Sequence, residues 1–82
     1  MIRIYPNPFS EFATIEFFLT KSSDVSLSLY NLMGEKLRIF VDDLYPAGTH
    51  SVQIQRGEMV SGVFLLILHS GNTTRQNKLT IN

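Results

Sequence analysis

Apolar residues in this chain recur at spacing two, in short runs broken by Gly, Pro, Asn, Asp and Ser, and no stretch carries a helical period. Ile15, Phe17 and Leu19 form one face of a strand, with Thr14, Glu16 and Thr20 opposite and Phe18 breaking the alternation. Val25, Leu27 and Leu29 alternate with Ser26, Ser28 and Tyr30. Leu37, Ile39 and Val41 alternate with Lys36, Arg38 and Phe40, and Val52 and Ile54 with Ser51, Gln53 and Gln55. About seven short strands, with turn signals every ~8–12 residues, predict an all-β, immunoglobulin-like sandwich of antiparallel strands. The chain lacks the Cys…Trp…Cys core of antibody domains, having neither cysteine nor tryptophan.

Turn chemistry refines the pairing. Facing residues of an antiparallel pair share a face, so apolar should oppose apolar. A two-residue Met33-Gly34 loop would set Leu29 against Arg38. A three-residue loop, Leu32-Met33-Gly34, instead pairs Leu29 with Leu37, Leu27 with Ile39 and Val25 with Val41, and uses Gly34 at the left-handed position of the turn. Gly71-Asn72 is a two-residue turn that pairs Leu68 with Arg75, Leu66 with Asn77 and Phe64 with Leu79. The run Val63 to Leu68 is apolar on both faces, so its strand is either central and covered twice or has one face awaiting a partner. Pro46-Ala47-Gly48 marks a further turn, and a loop spans Arg56 to Gly62.

The two ends differ in character. Pro6 and Pro8 each lack a ladder donor, so Tyr5-Pro6-Asn7-Pro8-Phe9 reads as a stiff, extended boundary. This divides the chain into a Pro-rich linker and first strand over residues 1–9 and a sandwich over 10–82. The last strand, Thr74 to Asn82, carries few apolar residues and is a natural edge, open to strand addition. The N-terminus shows no hydrophobic signal region, so an export signal is expected in a larger precursor, with Met1 a fragment start.

At 82 residues the chain is a single small domain, and its 44% hydrophobic content is that of a folded one. Formal net charge is zero and the basic residues Arg38, Arg56, Arg75 and Lys78 are dispersed, which predicts a solvated face and argues against nucleic acid. No apolar run approaches the ~20 residues of a spanning helix, so direct membrane insertion is not expected. Catalytic chemistry is thin. His50 opens one strand and His69 closes another, both expected at solvent. Ser70, His69 and Asp24 could be written as a triad, but adjacent residues on a strand face opposite ways. Asp42-Asp43 reads as a solvated loop rather than a calcium site. Tyr30, Phe40, Tyr45 and Phe64 could line a sugar-binding face or lie in the core. No enzyme, cofactor or metal is expected.

The ordered pieces Pro6-Asn7-Pro8, Ala13-Thr14-Ile15-Glu16-Phe17, Leu27-Ser28-Leu29-Tyr30-Asn31-Leu32-Met33-Gly34, Pro46-Ala47-Gly48, Ser61-Gly62-Val63-Phe64 and Lys78-Leu79-Thr80-Ile81 span the chain. Taken together, the sequence resembles the type A C-terminal sorting domain of the type IX (Por) secretion system of Bacteroidota-type bacteria. The resemblance implies a non-catalytic signal that directs an upstream cargo domain through the outer membrane to the cell surface or medium, where a sortase-like surface peptidase removes it. The expected partners are translocon or shuttle components and that peptidase. Carried over by position, the determinants are Gly62, Val63, Phe64, Lys78, Leu79 and Ile81; the apolar stripe Val63, Leu65 and Ile67 would be presented with the terminal strand, and Pro6, Pro8, Gly34, Gly48 and Gly71 shape turns. Phe64 stands where the family commonly has Tyr, and Tyr45 lengthens the usual Leu-Pro-Ala-Gly turn by one residue. A glycan- or protein-binding accessory module and an immunoglobulin-like spacer are the alternatives, and the terminal edge could equally serve a homodimer.

Overall fold

The computed structural model describes residues 2–82, and these form seven strands and no helix. The strands are β1 (Ile2–Tyr5), β2 (Phe12–Leu19), β3 (Ser23–Tyr30), β4 (Lys36–Tyr45), β5 (Gly48–Gln55), β6 (Gly62–Ser70) and β7 (Thr73–Ile81). A three-stranded sheet in the order β1-β2-β5 faces a four-stranded sheet in the order β4-β3-β6-β7, and every neighbouring pair is antiparallel. The alternation read from the sequence places the core. Ala13, Ile15, Phe17 and Leu19 turn inward from β2 and Val25, Leu27 and Leu29 from β3, while Leu66, Leu68, Leu79 and Ile81 complete the layer from β6 and β7. Burying each large side chain of this kind contributes ~1.5–3 kcal/mol.

The β6–β7 hairpin has the expected register, with Leu68 opposite Arg75, Leu66 opposite Asn77 and Phe64 opposite Leu79. Its turn places Gly71 at φ +57°, a conformation that side chains with a Cβ rarely adopt. The β3–β4 hairpin departs from expectation. The loop is the three-residue one: Asn31 N donates to Glu35 O at 3.0 Å and Gly34 takes φ +90°. Asn31 Oδ1 also accepts from the amides of Met33 and Glu35, which fixes the turn. Beyond Tyr30–Lys36, however, the ladder slips twice. Leu29 faces Arg38, not Leu37; Leu27 faces Val41, not Ile39; Val25 faces Asp43, not Val41. The slips skip Leu37 and Phe40, so β4 carries two bulges and spends two extra residues against β3. Val41 and Phe40 therefore both pack on the core, while Leu37 and Ile39 are left 51% and 54% exposed.

The Pro-rich lead-in is built into the sandwich. β1 lies on β2, and the chain then bends through Pro6 and Pro8, whose preceding peptide bonds are both cis. Phe9 inserts its ring fully into the core and bridges Ile81 in parallel. Tyr45, the additional residue before Pro46, also turns inward. Its ring meets Phe17 edge-on at 5.4 Å between centroids, where the chain crosses from one sheet to the other.

Candidate recognition surface

β6 lies between β3 and β7, so it is central, and its two apolar faces have different fates. Phe64, Leu66 and Leu68 face the core. Val63, Leu65 and Ile67 face outward, Val63 being 41% exposed and the other two half-buried. Registers across the four strands line up outer-face rows. One runs Lys36–Tyr30–Leu65–Lys78, and the next runs Ile39–Ser28–Ile67–Gln76. The first row is an apolar centre with a cation at each end, and Lys36 Nζ sits 5.8 Å from the centre of the Tyr30 ring. In the second row Ser28 is only 2% exposed because Ile39 and Ile67 flank it. Lys78 is exposed, and among the described residues the one ion pair joins other side chains, Arg3 and Glu16.

The eight positions singled out from the sequence thus separate into two groups. Val63, Leu65, Ile67 and Lys78 share the outer face. Leu79 and Ile81 are wholly inside, Phe64 packs against the core, and Gly62 opens β6 at φ +154°, where an added Cβ would meet the Phe64 ring at 3.5 Å. β7 is an edge strand, but the lead-in covers one half of it. Asn7 Nδ2 donates to Lys78 O at 2.9 Å while its Oδ1 accepts from Thr80 N at 3.0 Å. Phe9 N donates to Thr80 O and Asn82 N donates to Phe9 O. The half of the edge toward the Gly71 turn has no such cover.

Two side chains that organise this region had no signature in the sequence. Asn7 acts as one more residue of ladder against β7. Arg56, read as part of a solvated face, is instead half-buried and ties its own loop to the segments of Ser10 and Asn82. Its Nε donates to Met59 O at 3.0 Å, Nη2 to Ser61 Oγ at 3.0 Å, and Nη1 to Ser10 O and Asn82 O. His50 also differs from expectation. It is half-buried, 4.9 Å from the Tyr45 ring and 5.5 Å from Phe17, with Nε2 2.7 Å from Pro46 O, a spacing that assigns the proton to Nε2. His69 is exposed and bonds Thr74 Oγ1 rather than Ser70 or Asp24.

The arrangement has little to offer reaction chemistry. One shallow cleft at the Gly71 turn is lined by Phe18, Lys21, Ser23 and Arg75, and another lies between Leu37, Met59, Val60 and Phe64; neither joins a nucleophile to a base. Among the described residues no group of three His, Asp or Glu side chains is placed to hold a metal ion. The aromatic residues form no common platform: Tyr45, Phe40 and Phe64 pack on the core, and Tyr30 alone of the four stands in an outer-face row. What the sandwich presents is a sheet face and strand edges, the features through which one chain recognises another. The family model of the secretion system C-terminal sorting domain matches residues 3–82, and the chain belongs to that family. It is a non-catalytic secretion signal of the type IX system, serving export of an attached cargo to the cell surface or medium. No curated protein matches the chain.

Proposed function

We propose that the sorting signal is read on the outer face of the four-stranded sheet, at the row from Lys36 through Tyr30 and Leu65 to Lys78 with Val63 and Ile67 beside it. The observation that carries this reading is the division of the candidate determinants: these side chains are accessible together, while Leu79 and Ile81 are enclosed. Leu79, Ile81 and Phe64 then act by holding β7 in register, so that Lys78 keeps its place opposite Leu65. The complementary surface on a translocon or shuttle component is apolar at its centre and carries carboxylates at its margins. A sortase-like surface peptidase cuts upstream of Tyr5 or within the linker, because a cut between β2 and β7 would require the sandwich to open. The cargo is then joined to surface polysaccharide or released.

The test is a reporter with its own periplasmic signal, fused ahead of the 82 residues, followed in a bacterium with a working type IX system and in its secretion-null mutant. Reporter outside the competent strain alone, with the domain removed, is the expected result. Lys78→Ala should cut export severalfold with a change of stability within ~0.5 kcal/mol, the usual range for surface substitutions. Leu79→Ala should lose ~2–5 kcal/mol of stability and export together. Full export of the Lys78→Ala fusion would remove Lys78 from the surface.

A further inference from the structure

Four strands terminate the two sheets: β1 and β5 in one, β4 and β7 in the other. An open edge presents unpaired N–H and C=O groups, and folded proteins blunt it by shortness, charge, proline, a bulge or a cover. Three of these edges carry such devices. β1 is four residues long, bears Arg3 and runs into Pro6. β4 has both bulges and carries Lys36, Arg38, Asp42 and Asp43. β7 bears Arg75 and Lys78 and is half covered by Asn7 and Phe9. β5 has none of them. Gly48–Gln55 contains no Lys, Arg, Asp, Glu or Pro, and pairs with β2 without a bulge along its whole length.

The direction of its free groups follows from the ladder. Arg56 N donates to Glu11 O at 2.8 Å, one step beyond the Gln55–Phe12 pair. Antiparallel ladders alternate, so residues 54, 52 and 50 also bond β2, and Thr49, Ser51, Gln53 and Gln55 direct their main-chain groups outward. We propose that β5 is a strand-addition edge and that its occupant is β5 of a second copy, antiparallel about a two-fold axis through Val52. In that register Ser51 lies opposite Gln53 of the second copy and Thr49 opposite Gln55, and each of these residues satisfies both its N–H and its C=O. Val52 meets Val52 of the second copy on the inner face, apolar against apolar, and His50 lies opposite Ile54.

Self-pairing is favoured over a foreign strand by the charge pattern. A two-fold axis brings a residue near its own image, so a charged edge repels itself. On β4, Asp42 and Asp43 would do so; β5 carries no charge to oppose, and the chain as a whole is formally neutral. A partner selected for a different sequence would be matched by charges, and this edge supplies none.

Sedimentation equilibrium of the chain from micromolar to millimolar concentration tests the proposal. A concentration-dependent dimer is expected, weakened at least tenfold by Gln53→Lys and unaffected by Gln76→Lys on β7. Both side chains are exposed, and thermal melts should show both variants folded. The chain has no cysteine, so Val52→Cys gives a clean second readout. Facing residues of a non-hydrogen-bonded pair have Cα atoms ~4.5 Å apart, within disulfide range, and mild oxidation should yield a covalent dimer. A monomer across the whole range overturns the proposal, as does an association indifferent to Gln53→Lys. A monomer whose export falls with Gln53→Lys would give the edge to a strand of the machinery and equally overturn it. None of these outcomes bears on Lys78.

Discussion

Arg56 shows how one side chain can hold what strand pairing alone leaves loose. Residues 56–61 form no strand, and the loop they make sits beside Ser10 and Asn82. A guanidinium presents its donors in a planar fork, so it reaches several carbonyls at once, where an ammonium would reach fewer. Arg56→Ala should therefore destabilise the chain by ~2 kcal/mol or more, because hydrogen bonds from a charged donor contribute ~1.5–3 kcal/mol each and do not add fully. Arg56→Lys should recover only part. Urea unfolding measures both, with Arg38→Ala as the exposed control expected near zero. Composition treats these two arginines alike; a residue type carries no information about which carbonyls the chain will bring to it.

At the scale of elements, β7 is a strand with two different edges in one. Its half toward Asn82 is closed by the amide of Asn7 and the backbone of Phe9, and its half toward Gly71 is open. Hydrogen exchange should separate them. The Thr80 amide, bonded to Asn7 Oδ1, is expected to exchange much more slowly than the outward amides of Thr74 and Gln76. Asn7→Ala should bring Thr80 to their rate while the odd-numbered amides facing β6 stay protected. Equal exchange at Thr80 and Gln76 in the unaltered chain would show that the cover is not held in solution. β4 gives the complementary lesson. Its alternation of Leu37, Ile39 and Val41 marked a strand correctly and its partner face incorrectly, because each bulge reverses the sense of alternation beyond it. Those bulges leave Leu37 and Ile39 outside the core and, in the same step, make the β4 edge unfit for pairing.

For the whole molecule, the consequence of Phe9 is that the chain before β2 carries part of the core. A domain of this size has a stability of ~5–15 kcal/mol at most, and removing a buried phenylalanine ring costs ~3–5 kcal/mol. Phe9→Ala should thus lower the unfolding midpoint sharply, and residues 10–82 without β1 and Phe9 should fail to fold cooperatively, as circular dichroism melts would show. A truncated chain melting like the parent would mean the lead-in is dispensable. The lead-in's closure on β7 also places Asn7 against the strand that carries Lys78.

Strand identity, the apolar faces of β2 and β3, the register of the β6–β7 hairpin, the Gly34 and Gly71 turns and the family itself were all legible in the sequence. Each rests on local pattern: side chains alternate with period two, turns demand particular residues over three or four positions, and an ordered set of such pieces is recognisable as a family. The bulged register of β4, the burial of His50, the Asn7 cover, the Arg56 network and the unguarded state of β5 came only with the tertiary structure. They depend on which strands become neighbours, and the contact between Asn7 and Lys78 joins positions 71 residues apart. A period of two says which side chains share a face. It does not say which face meets the other sheet or which edge is covered, because hydrogen bonds between distant segments decide that.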